Sequence, residues 1–153
     1  ISDYFNMASI KVPIFETFII DICHAILERK ITKNVKNDIQ HVIDQEVGHT
    51  NMHSIINDEL LKHKIFSFFF HNEARLIFFV LNRLSFKIRV GCALSIEKVA
   101  QITSYILITE GWLKGSEGII ANVWNAHLID ELDHYPAVHN AYNELYENSS
   151  NAS

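Results

Sequence analysis

The sequence predicts an all-α protein, a ferritin-like four-helix bundle with a helical crossover between its second and third long helices. Three observations predict it. The 153 residues are 48% hydrophobic and include only five glycines and two prolines, a composition that suits a helical globular chain. Apolar side chains recur at helical spacing in long stretches, with no strand-like alternation. A Glu-x-x-His phrase occurs twice, as Glu46–His49 and as Glu131–His134. On a helix, three residues turn through about 300°, so the two side chains of each phrase share a face.

The elements follow in order. Pro13 suits the first turn of a helix. From Ile14 to Glu28 the apolar positions Phe15, Phe18, Ile19, Ile22 and Ile26 mark one face. Arg29 to Thr32 ends that helix, and Thr32 is the N-cap expected for the next. The second helix is expected to run to about Lys62, carrying Val35, Ile39, Val42, Ile43, Glu46, His49, His53 and Ile56. Residues 63–84 form an aromatic-rich, helical connector, the crossover of a ferritin-like bundle. The third long helix spans about Ser85 to Leu113, with Gly91 inside it as a place for close packing. Gly111, Gly115 and Gly118 punctuate the next turn. The fourth helix covers about Glu117 to Glu147, and Pro136 is expected to interrupt or kink it.

The length implies one domain over residues 1–153, with its core at about 13–147 and a polar tail at 148–153. The formal net charge is −5 and basic residues do not cluster, which argues against nucleic acid and against a membrane-surface helix. Cys23 and Cys92 read as reduced thiols, consistent with the cytoplasm. The start, Ile1-Ser2-Asp3-Tyr4, has no basic n-region, and its missing Met marks a trimmed chain or a fragment. The apolar runs at 65–70 and 76–81 are far shorter than the roughly 20 residues of a membrane span. Exposed aromatic surface on so small a bundle makes a homodimer an expectation.

The two phrases find partners. Glu16 and Glu46 lie equally far from a turn near residue 31, and Glu97 and Glu131 equally far from a turn near 114. Helices of equal rise then bring each pair to one height. Glu16 and Glu97 sit among apolar residues, where an unpaired carboxylate costs several kcal/mol unless a partner or a metal takes it. The ligand set is therefore Glu16, Glu46, His49, Glu97, Glu131 and His134. His127, one turn before Glu131 on the same face, is either a seventh ligand or an outer hydrogen-bond donor. His53, Asp44, Asp130 and Asp133 are candidate outer partners, since such groups hold a ligating imidazole in one tautomer. His24, His41, His63, His71 and His139 lack matched partners. Tyr105, Tyr135 and Tyr142 are packing residues by default. Phe66, Phe68–Phe70, Phe78 and Phe79 are core, or the wall of a pocket.

At these residues the chain resembles a known family. Val12-Pro13-Ile14-Phe15-Glu16-Thr17-Phe18 is similar to the Pro-x-Gly-Glu-x-Phe opening of a bacterial family of predicted metal-dependent hydrolases. Gln45-Glu46-x-x-His49-x-x-x-His53-x-x-x-Asn57 resembles that family's second segment, Ala93–Glu97 its third, and Trp124–His134 its fourth. The departures are Phe15 for Gly, Asp130 and Asp133 for Glu, Tyr135-Pro136 for Lys-Ala, and a displaced Trp124; none removes a proposed ligand. The ligand pattern also resembles arylamine-oxygenase di-iron proteins. The resemblance implies two metal ions, iron first and manganese second. Glu46 and Glu131 would bridge them, Glu16 and Glu97 would be terminal, and His49 and His134 would bind one metal each. The expected activity is a non-haem oxidase or oxygenase using O₂, a small organic substrate and an electron donor. The alternatives are a two-metal hydrolase and a non-enzymatic metal-binding bundle.

Overall fold

The computed structural model describes residues 3–60 and 75–147. Helix α1 is Asp3–Leu27 and α2 is Lys33–Leu60. Residues 75–81 are helical (α3), α4 is Phe86–Thr109 and α5 is Ile119–Tyr146. The described residues contain no strand. None of these helices is long and apolar enough to cross a membrane. The crossover expected at 63–84 falls largely outside the described residues, as do His63, His71, Phe66 and Phe68–Phe70; its last part is α3.

Helix α1 packs along α2, α4 packs along α5, and α2 joins the two pairs by packing on α5. Helices α1 and α4 barely touch. Cross-helix bonds show that both hairpins are antiparallel. Ser9 meets Asn57 while Glu16 meets Thr50, and Gln101 meets Leu132 while Glu97 meets His134. The register differs from equal heights about residues 31 and 114. Glu16 lies against His49 and Thr50, and Glu97 against His134, each about a helical turn past the Glu expected to face it. Thr32 caps α2 through Val35 N–H, and its own N–H and hydroxyl donate to Glu144 of α5 at 2.7 and 2.6 Å. The start of α2 is thus tied to α5 rather than to α1.

Both prolines lie inside helices, contrary to the first-turn place expected of Pro13 and to the interruption expected at Pro136. Pro13 sits mid-way along α1 instead of at its first turn, and α5 runs unbroken through Pro136. A helical proline has no N–H for the carbonyl four residues earlier. In this protein the facing helix supplies the donor each time. Asn57 Nδ2 donates to the Ser9 carbonyl at 2.7 Å, and Gln101 Nε2 donates to the Leu132 carbonyl at 2.7 Å. Each proline thereby becomes a cross-helix clamp within its hairpin.

The turn between α4 and α5 starts earlier than expected, after Thr109, because Gly111 takes φ 65° and closes the helix. Gly118, at φ 99°, precedes α5. Gly91 has no neighbour within 4 Å of where a Cβ would stand, so close packing is not its role.

Two apolar clusters bracket the molecule's polar layer. The larger joins Ile22, Ile26, Ile39, Val42, Val90 and Val138; the smaller joins Phe5, Leu107, Leu113, Trp124 and Leu128. An isoleucine taken wholly out of water contributes about 1.5–3 kcal/mol, and Ile22, Ile26 and Ile39 are 0% exposed. Phe78 stacks on Phe18 at 4.8 Å and belongs to this larger core. Cys23 is buried and Cys92 half-buried, both as free thiols.

Candidate metal centre

Between the clusters lie Glu16, Glu46, His49, Glu97, His127, Glu131 and His134, all buried. They form two groups, each with ligand-capable atoms within 4.8 Å of one another. The first is Glu16, His49, His127 and Glu131; the second is Glu46, Glu97, Glu131 and His134. Every one of these residues has a buried polar atom without a hydrogen-bond partner: Glu16 Oε1, Glu46 Oε2, both Glu97 oxygens, Glu131 Oε2 and the Nδ1 atoms of His49, His127 and His134. Buried polar atoms are rarely left so. Their convergence is what a cation would satisfy.

Two carboxylates reach into both groups. Glu46 places Oε2 3.6 Å from His49 Nδ1 and Oε1 3.1 Å from His134 Nδ1. Glu131 places Oε1 3.4 Å from His127 Nε2 and Oε2 3.6 Å from His134 Nδ1. Glu16 and Glu97 each approach a single group's histidines.

Outer contacts orient the rings. His49 Nε2 donates to Asp130 Oδ2 at 3.0 Å, and His134 Nε2 donates to Gln45 Oε1 at 3.2 Å. In the neutral ring each bond puts the proton on Nε2 and leaves the Nδ1 lone pair facing the carboxylates. Thr50 donates to Glu16 Oε2 at 2.8 Å. His53 is fixed by a longer chain. Asn57 Nδ2 is committed to the Ser9 carbonyl, so its Oδ1 accepts from the Ser9 hydroxyl at 2.9 Å. That hydroxyl has a single proton, so it accepts from His53 Nδ1–H at 2.8 Å. His53 Nε2 is therefore an unprotonated, unpartnered nitrogen beside the His127 and Trp124 rings.

Without metal, protons and ion pairs stand in for it. Burial, and then the Glu46 charge, push Glu16 up to about 10. Burial followed by Glu131 and Glu46 raises Glu97. Burial alone would raise Glu46, but bonds to His134 and His49 outweigh it and hold it at about 2. Burial would lower His134, yet Glu131 and Glu46 lift it to about 11. Burial likewise opposes a raised His49, and Glu46 and Asp130 prevail. Burial, with the charge of His49, lowers His127 and brings His53 down to about 4. The donor set fits two divalent ions: hard carboxylates and borderline imidazoles, with no thiolate in either group.

Some expected residues stand elsewhere. Asp44 pairs with Gln40 on an exposed face and Asp133 is exposed, so neither reaches a ligating ring. Asp130 does, and His53 lies one layer out from the two groups. Tyr105 is exposed, Tyr135 stacks on His139, and Tyr142 packs on Tyr146. His24 and His41 are exposed. The roles of Ser9, Gln45, Thr50, Asn57 and Gln101 were not read from sequence. Asn57 does continue the His49–His53 stripe at four-residue spacing, which was the available signal. Phe78 and Phe79 line a separate surface hollow with Pro13 and Arg75, not the space over the carboxylates. That space is a cleft of about 530 Å³ between α1 and α4.

No curated protein and no solved structure matches the chain significantly. The family described as predicted metal-dependent hydrolase matches residues 1–152. The chain, with two buried Glu/His groups at its centre, belongs to this family of predicted metal-dependent hydrolases.

Proposed function

We propose that α1, α2, α4 and α5 form a ferritin-like bundle around a dinuclear metal centre, and that the centre is hydrolytic. The observation that carries the metal centre is the set of unpartnered buried atoms on all seven Glu and His residues. Family membership favours hydrolysis over the oxidase or oxygenase reading. In this reading Glu16, His49, His127 and Glu131 would hold one ion and Glu46, Glu97, Glu131 and His134 the other, with Glu46 also close to the first group. Ions held there supply Lewis-acid activation of water and of the scissile bond for hydrolysis, or the electrons that reduce O₂ in an oxidase. The chain's own residues bind and orient. Asp130 and Gln45 keep the Nδ1 lone pairs of His49 and His134 aimed inward. The walls of the cleft are mostly apolar.

One observation favours O₂ chemistry as a second reading: the four-carboxylate, three-imidazole donor set suits iron or manganese better than a structural zinc. Loading the protein separately with zinc and with ferrous iron separates the two. Amide, ester or phosphoester cleavage by the zinc form establishes hydrolysis. A transient visible band on adding O₂ to the ferrous form, with no cleavage by the zinc form, establishes the oxidase. Metal binding with neither result leaves a metal-binding bundle.

A further inference from the structure

We propose that the cleft between α1 and α4 takes an uncharged, apolar organic substrate, an amide or ester of an aliphatic or aromatic carboxylic acid, and disfavours phosphate esters. The cleft exists because α1 and α4 scarcely touch, while their partners α2 and α5 pack behind them. Its volume of about 530 Å³ suits a small molecule. Its floor carries Glu16, Glu46, Glu97, His127 and Glu131, drawn from both metal groups. Its walls are Val12, Phe15 and Ile19 on α1, and Ile96, Val99 and Ala100 on α4.

Charge decides the class. Two divalent ions would only offset the four floor carboxylates, so further positive charge to favour a dianion would have to come from the lining side chains. Phosphate sites draw on Arg and Lys, and among the described lining residues Lys11 is the sole cation. A neutral carbonyl loses nothing by this balance, and its apolar body gains about 25 cal/mol per Å² buried. A second cavity of about 130 Å³ shares Ala8, Ala100, Thr103, His127 and Glu131 with the cleft and ends on Phe5, Leu107 and Trp124. An aromatic or branched tail fits that extension. Cleavage of an amide forms an acyl C–O bond from water and breaks the C–N bond. One water proton goes to the leaving amine and the acid proton to solvent.

The cleavage step rests on the hydrolytic reading; the selectivity of the cleft does not. Calorimetry on the zinc-loaded protein compares 4-phenylbutanamide with phenyl phosphate. The amide is expected to bind at least about tenfold tighter, the scale on which a pocket discriminates apolar from mismatched polar groups. Ala100→Phe, which fills the cleft, should weaken amide binding about tenfold or more with zinc content per chain unchanged. Val99→Trp, at a site 65% exposed and so harmless to folding, should weaken it in the same direction. Equal or tighter binding of phenyl phosphate overturns the proposal, as does unchanged amide affinity in both zinc-replete variants. Amide binding without cleavage supports the cleft and removes the hydrolytic reading instead.

Discussion

The two buried Glu/His groups share Glu131 but differ in character. The first, Glu16–His49–His127–Glu131, holds two imidazoles, is braced by Thr50 and Asp130, and borders His53, whose Nε2 is unpartnered. The second, Glu46–Glu97–Glu131–His134, holds one imidazole and three carboxylates. Both Glu97 oxygens there are unpartnered, and its outer support is Gln45. The difference teaches that a repeated Glu-x-x-His phrase need not build a symmetric site. The α5 copy carries an extra His127 one turn earlier, and that side chain crosses to the group nearer α1 and α2.

The largest test of this comparison is Glu131→Ala, which should abolish binding at both groups, whereas Glu97→Ala should remove one metal only. Metal analysis per chain reads the difference; a loss of one ion in each case would break the shared-ligand reading.

Acid–base behaviour comes next. In the metal-free protein Glu16 keeps its proton to about 10, against 4.5 when exposed. The native state binds the extra proton, so this contribution to stability falls as pH rises from 4.5 to 10. Glu97 acts in the same direction, and His134 does so between 6.5 and about 11. Glu46, held at about 2, affects stability only below 4.5. Metal ligation requires the deprotonated forms. His53 and His127, lowered by burial, act the opposite way below 6.5, so melting temperature should fall as pH rises above 6.5 in the metal-free protein and be flat or rise in the loaded one. Parallel slopes would count against ligation by these groups.

Outer support should separate the groups further. Asp130→Asn frees the His49 tautomer and should weaken the first metal about 10–100-fold, leaving the second near its original affinity. Gln45→Leu should do the reverse. Competition with a chelator reads both; equal losses at both ions would dissolve the distinction.

The proline clamps give a smaller effect. Asn57→Leu and Gln101→Leu each strand a carbonyl, at about 1–3 kcal/mol, and Asn57→Leu should cost more because it also releases Ser9 and His53. Adding Pro13→Ala restores an N–H for the Ser9 carbonyl and should recover part of that loss in urea titrations. No recovery would reject the clamp. Smallest is Gly91→Ala, in open space on α4, expected to stabilise by up to about 1 kcal/mol.

Much of this was legible in the chain. Four of the long helices followed from apolar spacing, because one buried stripe per helix writes itself every three to four residues. Spacing put Glu46 with His49, and His127, Glu131 and His134 together, since i, i+3 and i+4 positions share a face whatever the tertiary context; Glu16 and Glu97 came instead from their apolar surroundings and from a height match that the structure shifts by about a turn. Less legible were Pro13 and Pro136. Local rules end or kink a helix at proline, and the compensating amides lie 44 and 35 positions away in sequence. Asp44 and Asp133 looked equivalent to Asp130, and only the rotation of α2 against α5 brings Asp130 to His49.

By itself, then, the sequence determined the helices, the stripe each one buries and which acids and imidazoles share a face, because these depend on short-range geometry. The tertiary structure decided the rest. In the first hairpin Glu16 lies level with His49 and Thr50, about a turn beyond Glu46, whose charge still reaches it. The gap between α1 and α4 opens the cleft above the carboxylates. Register and gaps arise from contacts between residues far apart in the chain, and no local pattern encodes them.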